Sequence, residues 1–337
     1  MSDLRKLCEV KKHAERSECV DLLRAVFMFA ICMIHTVGFS GSTSRWLSNI
    51  CLSGVVGFVF ISGWYGLSFR FAKAFRLLAT GAWCAFVGVV LQCFWLKQEI
   101  SVLEAFLSIF NGYWFLWAYL VLMIIAPLIN RGMAVCSRAE LLKMITPIIL
   151  LVFGWNWLAC VLPVKFGVVL PSPKGFGSHT YLTLIGIYIV ARASRLLGLD
   201  ARDLRRYVLI VMLVCLSVVW VDGRLGTYNS LFSVGLAGGI VVLCSRRHLS
   251  RWLSKSVRLL LPSVFPVYLY HVSPWGNDLL KETAAQLVSL GVPNGILVWM
   301  PVCALIFTLS LLLDVPRRFL VALAMQISEC VKYKGIQ

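Results

Sequence analysis

Ten mostly apolar stretches divide this chain, each near the ~20 residues that a helix needs to cross the hydrocarbon core of a bilayer. They run roughly over 20–40, 50–68, 76–96, 113–130, 143–162, 179–197, 205–221, 228–245, 259–276 and 295–315, with short polar connections between them. Apolar residues make up 60% of the chain and charged residues 14%, whereas soluble domains run at about half apolar and a quarter charged. No polar stretch is long enough to fold as a soluble domain. The expected fold is therefore all-α: a polytopic integral membrane protein with ten transmembrane helices. Its parts are a basic N-terminal segment (1–18), one membrane domain (19–316) and a C-terminal tail (317–337). No internal repeat is visible.

The basic residues test this count. With the N-terminus in the cytoplasm, the cytoplasmic segments hold 25 Lys and Arg, among them Lys73, Arg76, Arg131, Arg192, Arg195, Arg317 and Arg318. The outer loops hold 6: Arg45, Lys97, Lys165, Lys174, Arg224 and Lys281. An excess that alternates at every turn is the positive-inside pattern, and it puts both termini in the cytoplasm. Trp46, Trp95, Trp114, Trp117, Trp155, Trp157, Trp220, Trp275 and Trp299 all fall near the outer side. They read as an interfacial aromatic belt or, in part, as a glycan-binding mouth, since sugars stack on aromatic faces.

The same placement explains the net charge of +17. Cations clustered at helix ends serve topology, so nucleic acid is not an expected partner; membrane lipids are. The first 18 residues carry Arg5, Lys6, Lys11, Lys12 and Arg16 but no apolar core, so they do not read as a cleaved signal peptide. The 12 cysteines are scattered, without a C-x-x-C pair. Buried free thiols are expected, and no metal site.

The first apolar stretch, CVDLLRAVFMFAICMIHTVG, carries Asp21, Arg24 and His35. A helix advances ~100° per residue, so Arg24 and His35 return to one face after three turns. Asp21 stands one turn before Arg24 and can pair with it. His35 lies about 16 Å further along the axis, past the middle of the membrane. Ionisable groups at such depth face a bundle interior or a watery cavity and mark function by default. The plainer alternatives are a snorkelling pair at the helix entrance for Asp21 and Arg24, and a structural hydrogen bond for His35. In PSVFPVYLYHVSPWG (262–276), His271 reaches a similar depth. Pro262 and Pro266 interrupt the hydrogen bonding of that segment, which is tolerated in membranes where a helix lines a cavity.

These residues resemble the acyltransferase family 3 membrane proteins. VDLLRAVFMFAICMIH resembles the family's first-helix Arg-x10-His signature with a preceding Asp, here Asp21, Arg24 and His35. GVVGFVFISGWYGLSFR looks like its second-helix Phe-x-x-Ser-Gly stretch, with Ser62 and Gly63, and KAFRLL is similar to the basic segment that follows, with Lys73 and Arg76. YWFLWAYLVLMIIAPLI resembles a Trp-Phe-Leu helix ending in Pro, with Trp114 and Pro127; VYLYH resembles a Tyr-Leu-x-His stretch, with Tyr268 and His271. Ala25 and Ala79 depart from the family's usual Gly and Pro.

The resemblance implies an enzyme of the cell membrane that moves an acyl group, usually acetyl, from acetyl-CoA or another acyl-CoA to a hydroxyl of a glycan or lipid-linked sugar. No segment reads as the extracytoplasmic esterase-like domain of some members, so any relay is expected to run within the membrane domain or through a separate protein. A sugar hydroxyl needs a base, and His is best suited, with an unperturbed pKa near ~6.5. His35 is assigned that role. Coenzyme A carries about four negative charges that need cationic partners. Arg24, oriented by Asp21, is the first candidate, then Lys73 and Arg76, then Arg131, Arg192 and Arg195. Ser62 and Tyr268 are candidate donors to a developing oxyanion; Trp114 and His271 are supporting positions. A transporter or exporter of glycan or lipid is the rival reading, and a degenerate member that only presents a partner is a third. Oligomeric state is not readable.

Overall fold

The computed structural model describes residues 17–39, 45–95, 107, 112–168, 180–221, 230–289 and 296–334. Helices account for nearly all of them, and no strand occurs among them. In chain order they are α1 (Glu18–Phe39), α2 (Arg45–Tyr65), α3 (Phe71–Trp95), α4 (Trp114–Ala134), α5 (Arg138–Ile148), α6 (Trp155–Phe166) and α7 (Tyr181–Leu196). A π-helical turn, Ile149–Gly154, joins α5 to α6. There follow α8 (Arg205–Val221), α9 (Leu231–Cys244), α10 (Arg251–His271), α11 (Pro274–Ser289), α12 (Ile296–Leu313) and α13 (Val315–Lys334).

Among the described residues, four helical runs are long and apolar enough to cross a membrane: Phe71–Phe94, Trp114–Ala134, Arg138–Ala159 and Met300–Ala324. Two shorter apolar helices, Ile50–Tyr65 and Leu231–Cys244, accompany them. α1 is long enough but carries Glu18, Asp21 and Arg24 in its first two turns, and α7 and α8 have 16 and 17 residues. Large apolar side chains stand exposed on the outer helices, with Phe94 at 83%, Leu128 at 70% and Val135 at 79% of full exposure. In water such a surface would drive association; against lipid it is at rest.

α1 and α2 form the centre. α2 packs against α1, α7 and α9, and α1 against α10 and α12. Close approach rests on small residues, as between helices in lipid. At Gly63 a methyl group would sit 2.5 Å from the Tyr188 carbonyl oxygen of α7, so the Ser-Gly of the second stretch is a contact between backbones.

Two elements differ from the sequence expectation. The ninth stretch does not run to 276: α10 stops at His271 and α11 begins at Pro274. Pro274 has no N–H to leave unpaired at a helix start, and the Ser273 hydroxyl accepts from the Gly276 N–H at 3.2 Å. The segment 317–337, expected as a tail, lies largely within helix α13, which runs to Lys334. α10 itself runs unbroken through Pro262 and Pro266. The described cysteines are free thiols. Residues 1–16, the side chains of Trp46, Trp95, Trp220 and Trp299, and those of all six cations counted to the outer side lie outside the described residues.

Candidate functional site

A cavity of about 790 Å³ opens between α1, α2, α3, α4, α10 and α13. Arg24, Lys73, Arg76, Arg317 and Arg318 line it, and no carboxylate among the described residues does. Its other walls include Phe58, Ser62, Tyr65, Phe115, Tyr119, Phe265 and both prolines of α10. Arg24, Lys73 and Arg76, the first three of the six cations assigned from sequence to an anionic donor, thus meet in one place.

Each cation is held differently. Arg24 donates to the Asp21 carboxylate at 3.2 Å, with the side chains 19% and 15% exposed. Lys73 Nζ donates to Ser68 Oγ at 3.1 Å. Arg317 binds both oxygens of buried Asp314, Nε to Oδ1 at 2.6 Å and Nη2 to Oδ2 at 2.8 Å. Arg76 and Arg318 have no carboxylate partner among the described residues. Arg24 and Arg317 are paired with Asp21 and Asp314, and Lys73, Arg76 and Arg318 add further positive charge to the cavity.

The loop after α2 forms part of the mouth through Gly66, Leu67 and Ser68. Gly66 ends α2 at φ +78°, a conformation that favours glycine. Both backbone groups of Leu67 are then captured from other helices. Its N–H donates to the Tyr188 hydroxyl at 2.8 Å, and its carbonyl accepts from Asn130 Nδ2 at 2.9 Å. The Tyr188 hydroxyl in turn donates to Asn130 Oδ1 at 2.9 Å. This closed triangle fixes the chain between the Ser-Gly helix and the basic segment.

The two histidines meet. The rings of His35 and His271 stand edge to face with centroids 5.0 Å apart. His271 is 2% exposed. Its Nδ1 lies 2.8 Å from the Val267 carbonyl oxygen and 3.5 Å from the Cys32 sulfur. A carbonyl accepts only, so that contact puts the proton on Nδ1 and leaves Nε2 with its lone pair. Nε2 has no hydrogen-bond partner among the described residues.

Aromatic rings link the cavity wall to this pair. Phe115 and Phe265 line the cavity and lie against Tyr268, with centroids at 5.7 and 6.0 Å. Tyr268 meets His271 edge to face at 5.7 Å. Trp114 stands beside the cavity rather than in its wall, edge to face with Phe115 at 5.6 Å. Ser62 Oγ donates to the Phe58 carbonyl at 3.0 Å and also lies 3.0 Å from the Tyr119 hydroxyl.

Arg131, Arg192 and Arg195 do not line the cavity. Arg195 is spent on Asp200 at 2.5 Å and lies over the Trp64 ring at 5.2 Å. Tyr119, Asn130, Tyr188, Asp314, Arg317 and Arg318 were not singled out by sequence. For Arg317 and Arg318 the signal was present but reads equally as topology.

The described residues are helical almost throughout, and four of their helical runs are apolar and of membrane length, as in a membrane protein. The family model described as an acyltransferase domain, that of acyltransferase family 3, matches residues 17–315, most of the chain. The protein belongs to that family and is a membrane acyltransferase. No curated protein and no solved structure matches the chain.

Proposed function

We propose that this protein is a ten-span O-acyltransferase of the bacterial inner membrane with both termini in the cytoplasm. It moves an acyl group, acetyl by preference, from cytoplasmic acyl-CoA to a hydroxyl of a cell-surface or lipid-linked glycan. The observation that carries the reading is a cavity lined together by Arg24, Lys73 and Arg76, whose aromatic wall leads by ring contacts through Tyr268 to His271 and His35.

The chemistry follows from those parts. The cations neutralise the phosphates of the donor, and its thioester end extends toward the aromatic wall. His35 removes the proton from the acceptor hydroxyl as the oxygen attacks the thioester carbonyl. The tetrahedral intermediate collapses with loss of the coenzyme A thiolate, which takes the proton from the imidazolium. His271 supports His35 as a second imidazole whose tautomer is set by Val267. Hydroxyl donors, with Ser62 in the wall and Tyr268 behind it as candidates, stabilise the oxyanion. The outer tryptophans meet the sugar.

The test uses purified protein in nanodiscs with acetyl-CoA labelled on the acetyl group. Wild type is expected to bind it and release label to water or an added glycan acceptor. A folded wild type that binds no acyl-CoA of any chain length overturns the reading and favours a transporter.

A further inference from the structure

We infer that Arg318, with Arg317 locked in place by Asp314, forms the wall of the cavity that recognises the phosphates at the nucleotide end of the donor. The inference rests on the acyl-CoA reading above and adds a specificity-determining element to it. Arg317 and Arg318 lie beyond the residues matched to the family, 17–315.

Asp314 sits at the junction of α12 and α13 and is fully buried. A buried carboxylate is costly, and pairing it with arginine roughly offsets the cost without adding stability. Here every contact of the pair fixes a direction. Ser263 of α10 donates to Asp314 Oδ2 at 2.6 Å. Pro266 has no N–H, so the Pro262 carbonyl lacks its helical partner. Arg317 Nη2 donates to that carbonyl at 3.3 Å. One residue before Asp314, the Leu313 carbonyl accepts from the Tyr270 hydroxyl at 3.1 Å. The start of α13 is thereby tied to α10 at two levels, one of them adjacent to His271.

The consequence is a cavity wall with a fixed cation and a free one. Arg317 is held by Asp314 and α10. Arg318 follows it, lines the same cavity and has no side-chain partner among the described residues. Lys73 and Arg76 reach the cavity from α3. Cations from two separate elements around one cavity suit a ligand with several phosphates. Asp314 is a positioning residue.

The test compares acetyl-CoA with S-acetyl-pantetheine, which carries the same thioester and no phosphate, in nanodiscs of neutral lipid. Arg318→Ala is expected to raise KM for acetyl-CoA about tenfold with kcat unchanged, and to leave S-acetyl-pantetheine turnover as it was. Arg318→Lys restores part of the loss. Asp314→Asn, checked for folding by its melting temperature, is expected to raise KM for acetyl-CoA without touching the phosphate-free donor. An equal effect on both donors, or none on either, overturns the inference while the acyl-CoA reading stands. So does an effect that appears only when anionic lipid is added, which would make the wall a headgroup site. A folded wild type that binds neither donor overturns both.

Discussion

His35 of α1 and His271 of α10 place their imidazole rings 5.0 Å apart, edge to face, on helices far apart in sequence. In the proposed mechanism the two act as a chemical unit. His35→Gln is expected to lower kcat by ~10²–10⁴ while acetyl-CoA binding persists. His271→Gln is expected to lower kcat less, by about tenfold or more, because it acts beside the base. Single-turnover label release, with binding measured in parallel, separates the two effects. Loss of binding in His35→Gln would place that residue in the donor site instead.

Arg24 lines the cavity and is held by Asp21 at 3.2 Å. Arg24→Ala is expected to weaken acetyl-CoA binding by roughly 10–100-fold, the range of a charge-assisted contact to phosphate. Asp21→Asn, which loosens Arg24 without removing it, is expected to cost less. Titration of both variants with acetyl-CoA checks the order.

The Leu67 clamp makes a prediction about stability. Tyr188→Phe removes the acceptor of the Leu67 N–H and the donor to Asn130. The expected cost is about 1–3 kcal/mol, read as a lower melting temperature, with KM for acetyl-CoA raised as the mouth loosens. Gly63→Ala forces a methyl group against the Tyr188 carbonyl and is expected to cost ~1–3 kcal/mol by overpacking.

Asp200, in the turn between α7 and α8, gives a pH dependence. Burial raises its pKa, but the Arg246 contact at 2.8 Å and the charges of Arg195 and Arg246 outweigh burial and hold it below the usual carboxylate value. A depressed folded-state pKa contributes stability above the unfolded value, about 3.9, and that stability is lost as pH falls through the folded one. Melting temperatures measured from pH 7 downward should therefore fall below about pH 4, and Asp200→Asn should flatten that limb. An unchanged acid limb in the variant would remove Asp200 as its cause.

Much of this was legible because charge is rare in an apolar chain. Arg24 stands out inside its helix, and Lys73 and Arg76 follow from the resemblance of KAFRLL to the family's basic segment. The histidines were found by depth, but their ring contact depends on how α1 and α10 cross, which periodicity does not carry. Arg317 and Arg318 were masked by a competing cause, since cations after the last span serve topology equally well. Asn130 and Tyr188 are unremarkable in sequence, and only the crossing of α2, α4 and α7 gives them Leu67 to hold. The helix from Pro274 was missed because DLLKETAAQ is too polar to register beside the apolar stretches, although Ser273 and Pro274 mark its start.

The most direct test of the central claim is transfer itself. Acetyl-labelled CoA, wild-type protein, His35→Gln and Arg24→Ala are compared in nanodiscs, with binding and label release followed together. Wild type is expected to bind and release label, His35→Gln to bind with release lowered by ~10²–10⁴, and Arg24→Ala to bind roughly 10–100-fold more weakly. Label release undiminished in His35→Gln, or a folded wild type that binds no acyl-CoA, would contradict it.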